Sequence, residues 1–142
     1  MEELQALREH IQQGRTDEAL LLIDELEEMS REDKLNKIYS YAVVLLVHLI
    51  KRQAEQRTTR SWDVSIFQAV HQIQRVNERR RAGGVYAGGD ELREILEEAF
   101  DLATRKAALE VLEGRHDEQE LLALIDKNAI LEEAMGMLVD RG

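Results

Sequence analysis

The chain has 142 residues, a formal net charge of −10, no proline and no cysteine, and only 4% aromatic residues. This length suits one domain with a real core, and the dominance of Leu, Ala, Glu and Arg over aromatics favours helix over sheet. The lack of cysteine excludes disulfides, thiolate chemistry and cysteine-ligated zinc, and it fits a reducing cytosol. In chain order, a first helix is expected over about Glu2–Gln13, stopping at Gly14. A second starts at Thr16, a good N-cap residue, with Asp17 and Glu18 in its first turn. Ala19, Leu22, Ile23, Leu26 and Met29 form one helical stripe, and Asp24, Glu25, Glu27 and Glu28 carry the other face. Ser30-Arg31-Glu32-Asp33 reads as a fresh cap, followed by a third helix over about Glu32–Glu55. The run Tyr41–Val47, extended past His48 to Ile50, is apolar on every side, so this helix must lie inside something.

Thr58, Thr59 and Ser61 offer a cap for a fourth helix with the stripe Trp62, Ile66, Phe67, Val70, Ile73 and Val76. Ala82–Gly89 holds four of the eight glycines and is the clear loop. Asp90 is expected to cap a fifth helix with Leu92, Ile95, Leu96, Ala99, Leu102 and Ala103 inward, ending near Gly114. Two short helices follow at about Glu118–Ile125 and Ala129–Val139. The expected fold is all-α: a multi-helix bundle of five to seven helices, one domain over residues 1–142, around a buried central helix at about 32–55. The last helix, with Ala134, Met135, Met137 and Leu138, leaves a homo-oligomer open.

The N-terminus is charged from its second residue, so no signal segment is expected. The longest apolar run is far short of the roughly 20 residues of a membrane span. A cytoplasmic protein without membrane contact is the expectation. Gly14-Arg15-Thr16-Asp17-Glu18 is echoed by Gly114-Arg115-His116-Asp117-Glu118. Both are read as helix-stop, helix-start punctuation and not as a duplication.

Charge is uneven. Residues 51–81 hold eight Lys/Arg against three acids, while the other 111 residues hold eleven against 26. The favoured reading is a basic helix neutralised by acidic neighbours, with Arg79, Arg80 and Arg81 opposing a helix dipole. The alternative is a basic face for an anionic partner.

Candidate chemistry is sparse. His48 has no carboxylate or second histidine one turn away, and the single Glu-x-x-His unit, Glu113–His116, straddles a helix-ending glycine, so no metal is expected. The serines lack a nucleophile-elbow pattern and the glycine pairs lack a phosphate-loop pattern. No cofactor is expected. Two features remain: the acidic face of helix two, and the basic step Lys51, Arg52, Arg57 and Arg60 ending at Trp62. Together they define a weak carboxylate/His/Lys catalytic candidate, Glu25, Glu28, His48 and Lys51, and a binding candidate, Arg57, Arg60 and Trp62. The competing reading is a solvated helix face and ordinary salt bridges.

Three motif segments carry a family resemblance, and the later Leu96–Ala108 resembles the same family's helix with acidic and alanine positions. Leu22–Arg31, LIDELEEMSR, resembles an L-I-E-E-I-E-x-M-G-R pattern. Leu45–Lys51, LLVHLIK, resembles L-L-x-H-L-L-K, and Arg57–Ile66, RTTRSWDVSI, resembles R-R-S-x-S-W-x-x-S-I. These belong to the bacterial family known as domain of unknown function twenty-nine, found in cyanobacteria and proteobacteria. This chain departs from it at Arg52, where the family has tryptophan, and at Ser30, where it has glycine. The resemblance implies an all-helical fold and implies no activity. Three functions are then weighed. The first is a protein-interaction module, an adaptor or antitoxin-like chain with a protein partner of unknown identity. The second is a nucleic-acid binder using residues 51–81, against which the overall negative charge argues. The third is an enzyme using the carboxylate/His/Lys set.

Overall fold

The structure, a computed structural model, describes residues 2–79 and 83–139. It is an all-α, multi-helix fold: α1 (Glu2–Gln12), α2 (Thr16–Glu55), α3 (Arg60–Asn77), α4 (Gly89–Ala108), α5 (Glu118–Leu124) and α6 (Lys127–Val139), with a 3₁₀ turn at Val111–Gly114. Among the described residues one isolated antiparallel bridge, Glu78 to Val85, is the sole β-type pairing. The chain divides into two compact units, Met1–Lys34 and Leu35–Gly142.

The first unit is a helical hairpin of α1 and the start of α2. Its corner forms because Gly14 adopts a φ of +74°, a left-handed geometry that glycine takes without steric cost. Arg15 closes the corner twice: its N–H donates to the His10 carbonyl at 2.7 Å, and its Nε donates to His10 Nδ1 at 2.8 Å. The unit buries little. Among its described residues Ala19 is the one buried apolar residue, and α1 buries none.

The break expected at Ser30–Asp33 does not occur, because α2 continues unbroken to Glu55. Cap-type side chains start a helix only where the chain has already left helical geometry. No glycine or proline lies between Met29 and Asp33 to force that exit. Extending a helix is easier than ending one and nucleating another.

The second unit contains the core. Ile38, Leu45, Leu46, Leu49 and Ile50 of α2 are fully buried there, so most of the apolar run is interior, while Val44 within it is 41% exposed and one side of the helix faces outward. α3 starts where the Thr59 hydroxyl accepts the Trp62 N–H at 3.1 Å. It buries Ile66, Ala69 and Ile73. Phe67, expected inward, is 72% exposed. The spacing 66, 69, 73 follows the helical repeat, and Phe67 lies one residue, about 100°, round from Ile66.

α4 begins at Gly89 with Gly88 as its N-cap, and no side chain caps it. Asp90 therefore sits inside the first turn, where its charge favours the helix dipole. Ala99, Ala103 and Ala107 recur every four residues on the buried face beside Leu96 and Phe100. Such small side chains allow α5 and α6, which pack against α4, to approach closely. Leu102, expected inward, is exposed, and Phe100 fills the core in its place.

α4 ends at Ala108, short of the Gly114 expected from sequence. Leu112, Glu113 and Gly114 have φ values of 51°, 63° and 70°, three successive left-handed residues that a right-handed helix cannot include. At Gly114 an added Cβ would meet the Leu109 carbonyl oxygen at 2.9 Å. α5 then starts with a full capping box between Asp117 and Glu120. Gln74 of α3 donates to the carbonyls of Met137 and Leu138 at 3.4 and 3.2 Å, satisfying acceptors at the end of α6.

The glycine loop is anchored by a residue with no evident signal in the sequence. Asn77, the last residue of α3, is buried. Its amide donates to the Ala87 carbonyl at 2.9 Å and accepts the Ala87 N–H at 2.7 Å. Of the cationic helix end expected at Arg79–Arg81, Arg80 and Arg81 lie outside the described residues. Arg79 lies over the Tyr86 ring at 5.7 Å.

Candidate functional site

The basic step after the central helix folds into a compact polar cluster in the second unit. α2 ends where Gln56 turns left-handed, at φ 53°. That turn sets Arg57 back toward the helix it has just left. Lys51 and Arg57 then face Trp62, in the first turn of α3, and Glu55 holds Arg57. The Arg57 guanidinium lies 4.8 Å from the Trp62 ring centroid and the Lys51 ammonium 5.7 Å from it, both within cation–π range.

Lys51 is 8% exposed. A nearly buried ammonium needs a counter-charge, and Glu110, just after α4, supplies it. Glu55 is the centre of the cluster. One carboxylate oxygen accepts the Arg57 Nε–H at 2.7 Å and the other accepts the Leu112 N–H at 2.9 Å. The Leu112 N–H holds the Glu55 carboxyl below its ordinary range, against an opposing push from burial, with Arg57 and then Lys51 adding to the lowering. One acid therefore joins the end of α2, the linker that leads to α3 and the left-handed turn after α4.

Next to it, Arg52 reaches Asp63 at 3.9 Å and Glu133 at 3.6 Å. Lys51, Arg52, Arg57 and Arg79 thus all meet a carboxylate or an aromatic ring. Glu110 and Glu133, from outside residues 51–81, offset part of that segment's excess positive charge.

Of the residues expected from sequence, Lys51, Arg57 and Trp62 come together. Arg60, the first residue of α3, is exposed and takes no part in the cluster. His48 lies one turn before Lys51 and is half-buried, with Nδ1 2.8 Å from the Val44 carbonyl oxygen. A carbonyl can only accept, so Nδ1 carries the hydrogen in this contact. Glu25 and Glu28 are exposed residues of the first unit. Glu55, Glu110 and the Leu112 N–H are additions that the sequence does not announce. Glu110 and Leu112 come from more than fifty residues further along the chain, and no local pattern marks them. Among the described residues no three of His, Cys, Asp and Glu are grouped to hold a metal.

Chemically the cluster is saturated. A general acid or base works best with a pKa near the operating pH, whereas Glu55 is pushed the other way and stays ionised. Each of its oxygens already has a partner.

Two further surface features are apolar. In the second unit a groove of about 450 Å³ between α2 and α3 is lined by Tyr41, Val44, Phe67 and His71, with the Phe67 and His71 rings stacked at 6.3 Å. In the first unit Leu4, Ile11, Leu20, Leu21 and Met29 are all exposed, Ile11 at 61% and Leu21 at 64%. No helix is long and apolar enough to cross a membrane, among the described residues.

Residues 2–120 match the model of a family described as "Domain of unknown function DUF29". All of the segments that carry the resemblance in the sequence lie inside that match. No curated protein and no solved structure matches the chain.

Proposed function

We propose that this chain, which belongs to the family described as Domain of unknown function DUF29, is a protein-interaction module, an adaptor or antitoxin-like protein that works by occupying a partner's surface. One observation carries the reading. The first unit devotes 34 residues to a helical hairpin, buries Ala19, and leaves Leu4, Ile11, Leu20, Leu21 and Met29 in water. A unit this small cannot enclose a core of its own, and so many exposed large apolar side chains on 34 residues are what an interaction surface would supply. The saturated Glu55 cluster supports the same reading, since it offers no open acid, base or nucleophile. The cysteine-free composition fits a reducing cytosol as the place where it acts.

The test is affinity capture of the tagged chain from its host's lysate, beside the double variant Leu20→Gln/Leu21→Gln. A protein held in near-stoichiometric amount by the native chain and lost from the variant is the expected result. Equal recovery with both chains would remove the hairpin from the function.

A further inference from the structure

We infer that the occupant of the first unit's exposed face is a basic amphipathic helix of another protein. This rests on the interaction reading above and adds the chemistry of the partner.

Charge distribution supports it. Residues 1–34 carry eleven acids against four Lys/Arg, a net of −7, while residues 35–142 carry eighteen against fifteen, a net of −3. Most of the chain's net charge therefore sits on the unit whose apolar residues are exposed. The arrangement along α2 sharpens the point. Leu20 and Leu21 are exposed, and so are Asp24, Glu25, Glu27 and Glu28. Residues four and seven apart share a helix face. Leu20 thus stands above Asp24 and Glu27, and Leu21 above Glu25 and Glu28. This face opens with a leucine pair and is anionic over the next two turns. A helix that places leucine-like residues on that pair and Lys or Arg on the following turns satisfies both halves of it. Helix-in-groove recognition reads anchors at this spacing, and opposite charge beside an apolar anchor supplies register and partner choice.

A second copy of the chain fits less well. It would bring two units of −7 together, and like charges set against each other oppose association. An uncharged apolar partner would leave the acids without counter-charge at the rim.

The experiment uses the full chain and a labelled synthetic peptide of about 18 residues, long enough to hold a helix on binding, with Leu at helical spacing and Lys elsewhere. Two controls accompany it: the same composition scrambled so that no face forms, and the same Leu face with Glu in place of Lys. Binding is read by fluorescence anisotropy at two salt concentrations, and circular dichroism checks that every variant keeps its helix content. The Lys peptide is expected to bind the native chain about tenfold or more tighter than either control, from the apolar and charge terms together. Leu20→Gln/Leu21→Gln, at exposed positions, is expected to weaken it by a similar factor. Asp24→Asn/Glu25→Gln/Glu27→Gln/Glu28→Gln is expected to weaken it and to flatten its salt dependence.

Equal binding of the scrambled peptide, with no effect of the leucine changes, would reduce the surface to a non-specific polyanion and overturn the inference. Equal or tighter binding of the Glu peptide would overturn the basic partner and leave an interaction module with a different one. A dimer in sedimentation that Leu20→Gln/Leu21→Gln dissociates would assign the face to a second copy, again overturning only the partner's identity. A chain that binds no peptide and stays monomeric with or without those leucines would overturn the basic-helix partner, and the lysate capture described above then decides the interaction reading separately.

Discussion

Replacing Glu55 by Gln tests the physical account of the polar cluster, because the change keeps the shape and removes the charge. In the native chain the carboxylate receives the Leu112 N–H at 2.9 Å and the Arg57 Nε–H at 2.7 Å. The Gln amide can still offer one oxygen, but its NH₂ can accept from neither. Hydrogen bonds to a charged acceptor contribute roughly 1.5–3 kcal/mol, and the half-exposed Arg57 pair adds no more than about 1 kcal/mol. Glu55→Gln should therefore cost about 1–3 kcal/mol at neutral pH. Glu55→Ala should cost more, since it also leaves the Leu112 N–H without its acceptor.

The pH dependence has a definite sign. The folded Glu55 carboxyl titrates below its ordinary value of 4.5, chiefly through the Leu112 N–H. The unfolded chain then binds the proton more readily than the folded one. The stabilisation is present in full above the unfolded value and is lost as pH falls through it toward the folded value. Urea unfolding followed by circular dichroism, at several pH values from about 7 down to about 3, should show the native chain and Glu55→Gln converging as the solution becomes acid. A gap that stays the same at both ends, or a neutral-pH difference below about 0.5 kcal/mol, the range of inert surface changes, would refute the role given to this carboxylate.

The remaining predictions use the same unfolding measurement. Asn77→Ala should cost about 2–5 kcal/mol, because it orphans both the N–H and the carbonyl of the fully buried Ala87 at roughly 1–3 kcal/mol each. Gly114→Ala should destabilise more than Gly14→Ala. Both glycines are left-handed, which costs about 1–2 kcal/mol for a side chain, but only at Gly114 would the new Cβ strike a backbone oxygen. Leu46→Ala should cost roughly 2–5 kcal/mol as a cavity in the core. Phe67→Gln should stay within about 0.5 kcal/mol, and a cost of core size would place Phe67 inside and contradict its 72% exposure.

Periodicity makes most of the architecture legible. The stripe positions Ile66, Ile73, Leu92, Leu96, Ala99 and Ala103 are buried as their spacing predicts. The failures have specific causes. Phe67 reads as core because of its size, but helical phase selects Ala69, and phase outranks hydrophobicity when both positions compete for one face. The break expected at Ser30 rests on capping residues, which permit a helix to start without compelling it to stop. The end of α4 depends on a left-handed turn at Leu112 and Glu113, which are ordinary residues in sequence. Their geometry becomes intelligible only once Glu55, 57 residues earlier, is seen to accept the Leu112 N–H. The same limit governs the site: Lys51, Arg57 and Trp62 are close in sequence and stand out together, while Glu110 does not.

The two groups of charge in this chain are used differently, and that contrast underlies the functional reading. Three cations at the end of α2 are paired at home: Lys51 with Glu110, Arg52 with Asp63 and Glu133, Arg57 with Glu55 and Trp62. Charges paired this way help hold α2, α3 and the turn after α4 together. In the first unit the exposed acids Asp24, Glu25, Glu27 and Glu28 lie beside exposed leucines. Apolar surface of that kind has no stabilising role in an isolated chain, since leaving it in water forgoes about 25 cal/mol for every Å² that could be covered. Acids surrounding it preserve solubility while discouraging self-pairing. A surface that is apolar enough to bind and acidic enough to refuse its own copy is suited to a basic partner, and that is the property the peptide series measures.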